Sequence, residues 1–195
     1  MDRPEQIIDA YRKLLSSRDY NSITVSDICD SAGVSRKTFY KYFIDKTEVI
    51  SAMFHIDIVK PTEDLKKVLP YIEVNSMSHV MIENMYQRIY NSRSVYENLL
   101  SNMGMVPFGR IMGAVILAYS GSDSKRYQLS EEERDYAAQL LAYAQVGIIV
   151  NWIERGMKIP PSRMAKYCHT WLTGTWDAVA LKSTPPPLKS TNSES

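Results

Sequence analysis

Disulfide, metal and phosphate-binding chemistry leave almost no trace in this sequence. It holds two cysteines, Cys29 and Cys168, without a Cys-x-x-Cys pair. They read as core thiols of a chain kept in a reducing cytoplasm, with no signal-like leader ahead of them. The three histidines, His55, His79 and His169, are isolated, and Cys168-His169 are neighbours in sequence rather than a nucleophile and a base. That excludes the usual zinc spacings and an activated thiol. No glycine-rich phosphate cradle is present, and charge of one sign is also lacking. Lys and Arg number 23 against 22 Asp and Glu, a net +1, so there is no bulk polycation. Strand-type alternation is scarce. With no enzymatic motif, neither a metal nor a cofactor is expected.

What remains is helical periodicity in a chain of 195 residues, enough to bury the cores of one small and one larger domain. A first helix is expected over 4–17, with Pro4 at a tolerated early position and Ile7, Ile8, Tyr11, Leu14 and Leu15 as its buried stripe. Thr24 with Asp27 three residues on marks a second start, and Val25, Ile28 and Ala32 give its inner face. Gly33 ends that helix where positive φ is cheap, Val34 plugs the turn, and Ser35 caps a third helix. Phe39 and Phe43 face inward from it, which leaves Arg36, Lys37, Thr38, Tyr40, Lys41 and Tyr42 on its sides and outer face. Four cations, Arg36, Lys37, Lys41 and Lys46, against Asp45 put +3 into eleven residues. Such a donor-rich outer face is poor core and good groove surface: Arg and Lys reach guanine O6 and N7, and hydroxyls reach phosphates.

Residues 3–53 resemble the DNA-binding domain of TetR-family transcriptional regulators. The likeness rests on Thr24-Val25, Ile28, the run Ala32-Gly33-Val34-Ser35, then Thr38-Phe39-Tyr40, Tyr42-Phe43 and Lys46. It implies that Thr24, Ser35, Tyr40, Tyr42 and Lys46 anchor phosphates and that Arg36, Lys37 and Thr38 read bases, with Lys41 also on the DNA-facing surface. Two positions depart from the family pattern. Ser26 stands where an Arg is frequent, and Lys37 where a Gly is common.

A fourth helix should start after Asp45 and run to Lys60, where Pro61 interrupts it. Pro70 marks another break. Helices are then expected over 76–92, 95–103 and 107–119, followed by a charged loop over 120–129. Ser130 with Glu131, Glu132 and Glu133 opens a long helix to Arg155. Tyr136 to Ile153 is free of charge for eighteen residues, the length of a membrane span, but Gln139, Gln145 and Asn151 argue against one. A helix apolar on nearly every side suits packing against its own core and a second subunit together. Gly156 ends it and Pro161 opens the last helix.

The resemblance implies that these two C-terminal helices make the dimer, with Leu141, Gln145, Ile149, Trp152, Trp171 and Ala178 as interface candidates. Residues 152–158 are similar to the C-terminal region of a Gram-positive subgroup that includes activators of dihydroxyacetone kinase operons. The resemblance also implies an effector pocket in the Met- and Tyr-rich middle, for which Met81, Met85, Tyr86, Tyr90, Phe108, Met112 and Tyr119 are candidates; the plain alternative is core.

The expectation is an all-α chain: an N-terminal three-helix DNA-binding domain with a helix-turn-helix over 1–46, a larger helical effector and dimerisation domain over 47–181, and a disordered Pro- and Ser-rich tail over 182–195. Its expected activity is that of a cytoplasmic homodimeric repressor on a palindromic operator, responsive to a small molecule and independent of membranes. The alternative is a partner-protein-regulated activator or co-regulator of the same fold without a small-molecule pocket, recognisable by a solid core and an exposed apolar groove.

Overall fold

The computed structural model describes the backbone of residues 2–61, 63–64, 74–120 and 130–182, and within these all side chains save 74–78, 119–120, 134 and 172–182. Among the described residues all regular structure is helical: α1 (Arg3–Leu15), α2 (Val25–Ala32), α3 (Arg36–Tyr42), α4 (Lys46–Phe54), α5 (Val74–Asn91), α6 (Arg93–Met103), α7 (Met105–Ser120), α8 (Glu131–Glu154) and α9 (Pro161–Lys182), with a 3-10 turn at Tyr20–Ser22. The expected break at Pro70, the loop over 121–129, the side chains of Tyr119 and Ala178 and the tail beyond Lys182 lie outside the described residues.

Capping chemistry sets the boundaries. Thr24 and Asp27 close a reciprocal capping box on α2, and Ser130 and Glu133 close another on α8. Gly33 takes φ 64°, so that Val34 N–H reaches Cys29 O and Gly33 N–H reaches Asp30 O. The same pair of bonds recurs at Gly156 and Met157 beyond α8. Both ends are Schellman stops, which satisfy carbonyls the helix leaves open.

Pro61 does not end the fourth helix. Residues His55–Val59 form a π turn in which Lys60 N–H bonds five residues back to His55 O, and helical backbone continues through Lys60 and Pro61. Proline removes one intrahelical donor and crowds the carbonyl four residues before it, and a widened turn relieves both.

A single apolar cluster runs from Ile7 in α1 to Cys168 in α9. From α4, Val49, Ile50, Met53 and Phe54 all enter it, and Phe54 stacks on Tyr96 of α6 at 5.5 Å and meets Phe108 of α7 edge-on at 5.4 Å. Helix α9 lies along α5, and α8 along α7. By length and composition α8 could cross a membrane, but it packs one face into this core, as a core helix of the same composition does.

Within the cluster sits Asp57, the one buried charged residue among those described. The Arg12 guanidinium of α1 grips it with two bonds, 2.8 and 3.0 Å, and reaches Ser92 Oγ at 3.1 Å; Tyr96 donates its hydroxyl to the same carboxylate at 2.9 Å. Burial works against the Arg12 charge and the Asp57 carboxylate outweighs it, so the guanidinium is held above its ordinary pKa. Nearby, Asn98 of α6 donates to Leu15 O (2.7 Å) and Arg18 O (2.6 Å) and accepts from Tyr20 N–H (3.1 Å), closing the end of α1.

The interface candidates divide. Leu141, Ile149 and Trp152 are buried inside the protomer, at 8%, 0% and 2% exposure, so the inner face of α8 is not a subunit surface. Gln145 is half-buried and points Nε2 at Met85 Sδ, whereas Trp171 stands 54% exposed on α9. A helix apolar all round gives no sequence signal for which side turns inward.

Removing the Arg12 guanidinium strands a buried carboxylate. Arg12→Met should therefore cost roughly 3 kcal/mol in urea unfolding, and the double replacement Arg12→Met with Asp57→Leu should cost clearly less.

Burial pushes the Cys168 thiol up to about 11, beside the buried Tyr86 hydroxyl, which has no hydrogen-bond partner of ordinary geometry. A raised folded pKa favours the neutral thiol, so its contribution is complete below the ordinary value of 9.0 and lost as pH rises towards 11. Wild-type stability should fall over that window more steeply than that of Cys168→Ala, as read from urea midpoints at successive pH values.

Candidate nucleic-acid interface

The residues that form α1 to α4 leave one side of α3 unpacked. Phe39 and Phe43 are 0% and 6% exposed and lie 5.9 Å apart, pinning α3 by its inner edge. Arg36, Lys37, Tyr40 and Lys41 are exposed on the opposite side, and Thr38 and Tyr42 are half-buried at the flanks. The Tyr40 ring stands edge-on against Phe39 at 5.4 Å, and its nearby hydroxyl raises the pKa of the Arg36 guanidinium above its ordinary value.

Several polar members of this surface also have an internal task. Ser35 Oγ accepts from Thr38 N–H at 3.1 Å and meets Thr38 Oγ1 at 2.9 Å. Thr24 Oγ1 accepts from Asp27 N–H and donates back to the Asp27 carboxylate, which Arg18 grips from the end of α1 at 2.9 Å. The bonds from Thr24, and then from Arg18, hold the Asp27 carboxyl well below the usual carboxylate range. Lys41 Nζ lies 5.3 Å from the centre of the Tyr42 ring.

Lys46 is the most tightly held. Its Nζ donates to Tyr20 O at 2.8 Å and Ile23 O at 2.9 Å and sits 4.1 Å over the Tyr20 ring. Two of its three N–H groups thus tie α4 to the turn before α2, and burial lowers its pKa. Asp45 caps α4 through Thr47 and Glu48 N–H, at 2.7 and 2.9 Å.

Two residues at this surface escaped sequence reasoning. Ile44, just past Phe43, is 80% exposed, the most exposed large apolar side chain described. Its position after an inward Phe could have marked it. Arg18 has no such signal, because its partner Asp27 lies across a turn.

Four of the effector candidates, Met85, Tyr86, Phe108 and Met112, are packed as core. Tyr86, Phe108 and Met112 have 0% accessible surface and Met85 3%, whereas a wall able to meet a ligand would expose surface to it. Met81 is half-buried, and Tyr90, 40% exposed, stacks on Trp152 at 6.3 Å. A cleft of about 500 Å³ opens instead on the outside, between Met105, Val106, Gly109 and Arg110 of α7 and Tyr143, Gly147 and Asn151 of α8. Among the described residues no group of three or more His, Cys, Asp or Glu has metal-binding geometry.

Known proteins carry this arrangement. Residues 7–53 match the family described as bacterial regulatory proteins, tetR family, and residues 77–174 match one described as transcriptional regulator C-terminal region. The chain is 26% identical over 160 residues to the HTH-type dhaKLM operon transcriptional activator DhaS of Lactococcus lactis, covering 77% of this chain and 79% of that one. Among solved structures it is similar to a TetR-family regulator from Syntrophomonas wolfei, with TM-score 0.64, 11% identity and coverage of 89% and 94%. It is also similar to the TetR family repressor AlkX from Dietzia, with TM-score 0.57, 18% identity and coverage of 90% and 98%. A helix-turn-helix head with its recognition face free, continued by a matching C-terminal half, is the architecture of one group, and the chain belongs to the TetR family of DNA-binding transcriptional regulators.

Proposed function

We propose that this regulator works as a homodimer on a palindromic operator, with 1–46 as the reading head and 47–181 as the signal-receiving and dimerising part. The observation that carries the reading is α3, anchored by Phe39 and Phe43 while Arg36, Lys37, Tyr40 and Lys41 stand exposed. Arg36, Lys37 and Thr38 read base edges. Thr24, Ser35, Tyr40, Tyr42 and Lys46 hold phosphates, and Lys41 adds charge beside them. Lys46 keeps its charge and one N–H for that purpose, pre-positioned by the two carbonyls it already binds. Contacts per subunit are few, so affinity comes from two heads on successive major grooves about 34 Å apart. Work on chromosomal DNA puts the protein in the cytoplasm, which suits its two free thiols.

As a ligand-responsive repressor it would leave DNA when an effector stabilises another pose of α4, and the Arg12–Asp57–Tyr96 contact makes α1, the π turn and α6 move together. A second reading, an activator governed by a partner protein, is favoured by the closed packing of Tyr86, Phe108 and Met112 and by the open apolar cleft on α7 and α8. It also agrees with the activator named in the Lactococcus relative.

Site selection from random duplexes by the purified chain tests the reading: an enriched palindrome with half-sites one helical turn apart is expected, and enrichment of no twofold site would sink it. Lys37→Ala should change the selected bases while phosphate affinity persists, and an identical profile would remove Lys37 from the readers. Tyr42→Phe combined with Lys46→Met should weaken binding to every duplex and flatten the dependence on salt by about one unit of slope. Losing the Lys46 bonds should also lower stability by about 1–2 kcal/mol in urea melts.

A further inference from the structure

Between α1 and α2 the chain from Ser16 to Thr24 forms only the turn Tyr20–Ser22, so several of its backbone polar groups need partners from elsewhere. Asn98 of α6 supplies the first set. Its Nδ2 donates to Leu15 O at 2.7 Å and Arg18 O at 2.6 Å, and its Oδ1 accepts from Tyr20 N–H at 3.1 Å. Asn102, one turn on, donates to the same Oδ1 at 2.9 Å and to Asn98 O at 3.0 Å. An amide side chain offers two donors and two acceptor sites, and here all four are used. That fixes which way it lies, since the reversed amide would set oxygen against two carbonyls and N–H against N–H.

Lys46 supplies the second set, from α4. Its Nζ donates to Tyr20 O at 2.8 Å and Ile23 O at 2.9 Å and stands 4.1 Å over the Tyr20 ring. Tyr20 is therefore held by its N–H from the body, and by its carbonyl and ring from the phosphate anchor of the head. We propose that Asn98 is a positioning residue for DNA binding: by fixing the Tyr20 peptide it fixes the Lys46 ammonium, whose third N–H then faces a phosphate. The inference rests on the reading of Lys46 as an anchor and adds the residue that places it. A lysine side chain is long and flexible, and one left loose must give up that freedom on meeting a phosphate. One already tied to two carbonyls and a ring has given it up in the fold, so the contact costs less. Phosphate affinity of the head thus depends on a residue of the body. Asn98 also has a second route to the same surface, because Arg18, whose carbonyl it holds, grips Asp27 at 2.9 Å and through it the Thr24 cap. The two routes predict different couplings.

Binding of the full chain to a mixed-sequence duplex and to the selected palindrome, over a range of salt, separates them, with far-UV circular dichroism to verify folding. Asn98→Ala should weaken binding to both duplexes about fivefold and flatten the salt dependence, as Lys46→Met does. In a Lys46→Met background Asn98→Ala should change affinity by less than about twofold, because the group it positions is gone. A purely structural role would lower the urea midpoint and leave the two effects on affinity multiplying; multiplied effects overturn the inference in favour of the Thr24 route. Folded Asn98→Ala of wild-type affinity and slope, beside a weakened Lys46→Met, would overturn it too while leaving Lys46 an anchor. Wild-type affinity in Lys46→Met itself would remove the anchor reading and the inference with it. Should Asn98→Ala not fold, Asn98→Ser, which keeps one donor, carries the same comparison.

Discussion

The bond between Arg12 and Asp57 is what makes one molecule out of a reading head and a helical body. Asp57 is buried at 4% exposure, and a carboxylate there is tolerable only because a guanidinium supplies two hydrogen bonds and a phenol a third. The partners come from different places: Arg12 from α1 in the head, Tyr96 from α6, and Ser92, which accepts from Arg12, from the cap position just before α6. Apolar packing around Phe54, Tyr96 and Phe108 joins α4, α6 and α7 without fixing their angles. Hydrophobic contact is non-directional, and a bidentate ion pair is not. The orientation of α1 against the body, and with it that of α3, follows from the polar contact.

That division of labour extends outward. Asn98 satisfies the carbonyls at the end of α1, and Lys46 satisfies those of the turn before α2, so the segment linking α1 to α2 is held from both α6 and α4. On α3 itself the polar groups are exposed or make bonds within the helix and its cap. A regulator of this build keeps the recognition surface uncommitted and spends its buried polar bonds on the joint. Any signal that repositions α6 acts on Arg12, Ser16–Arg18 and Tyr20 together.

What could be read from sequence was local. The capping box at Thr24 and Asp27, the left-handed Gly33, the inward Phe39 and Phe43 and the start of α8 at Ser130 all depend on neighbours within about one helical turn. What could not be read was set by distant chain. Lys46 was legible as a phosphate anchor by resemblance and not as a tie within the fold, because its partners, Tyr20 O and Ile23 O, are backbone atoms more than twenty residues away. Nothing near Asp57 in sequence announces its burial, because Arg12 and Tyr96 lie 45 and 39 residues away. The Met and Tyr population had the composition of an adaptable pocket and is packed as core at Tyr86, Phe108 and Met112. For α8 the period was legible and the phase was not: with apolar residues on both faces, only the fit of α7 decides that Leu141 turns in and Leu140 out.

The π turn at His55–Val59 has a consequence for how such proteins diverge. It amounts to one residue more than an α-helix needs, and each residue of helix is worth about 100° of rotation. Losing one residue there would straighten the helix and carry Asp57 round by that angle, away from Arg12. Losing a single codon in this stretch would therefore turn the reading head relative to the body like a screw, with no substitution on the recognition surface.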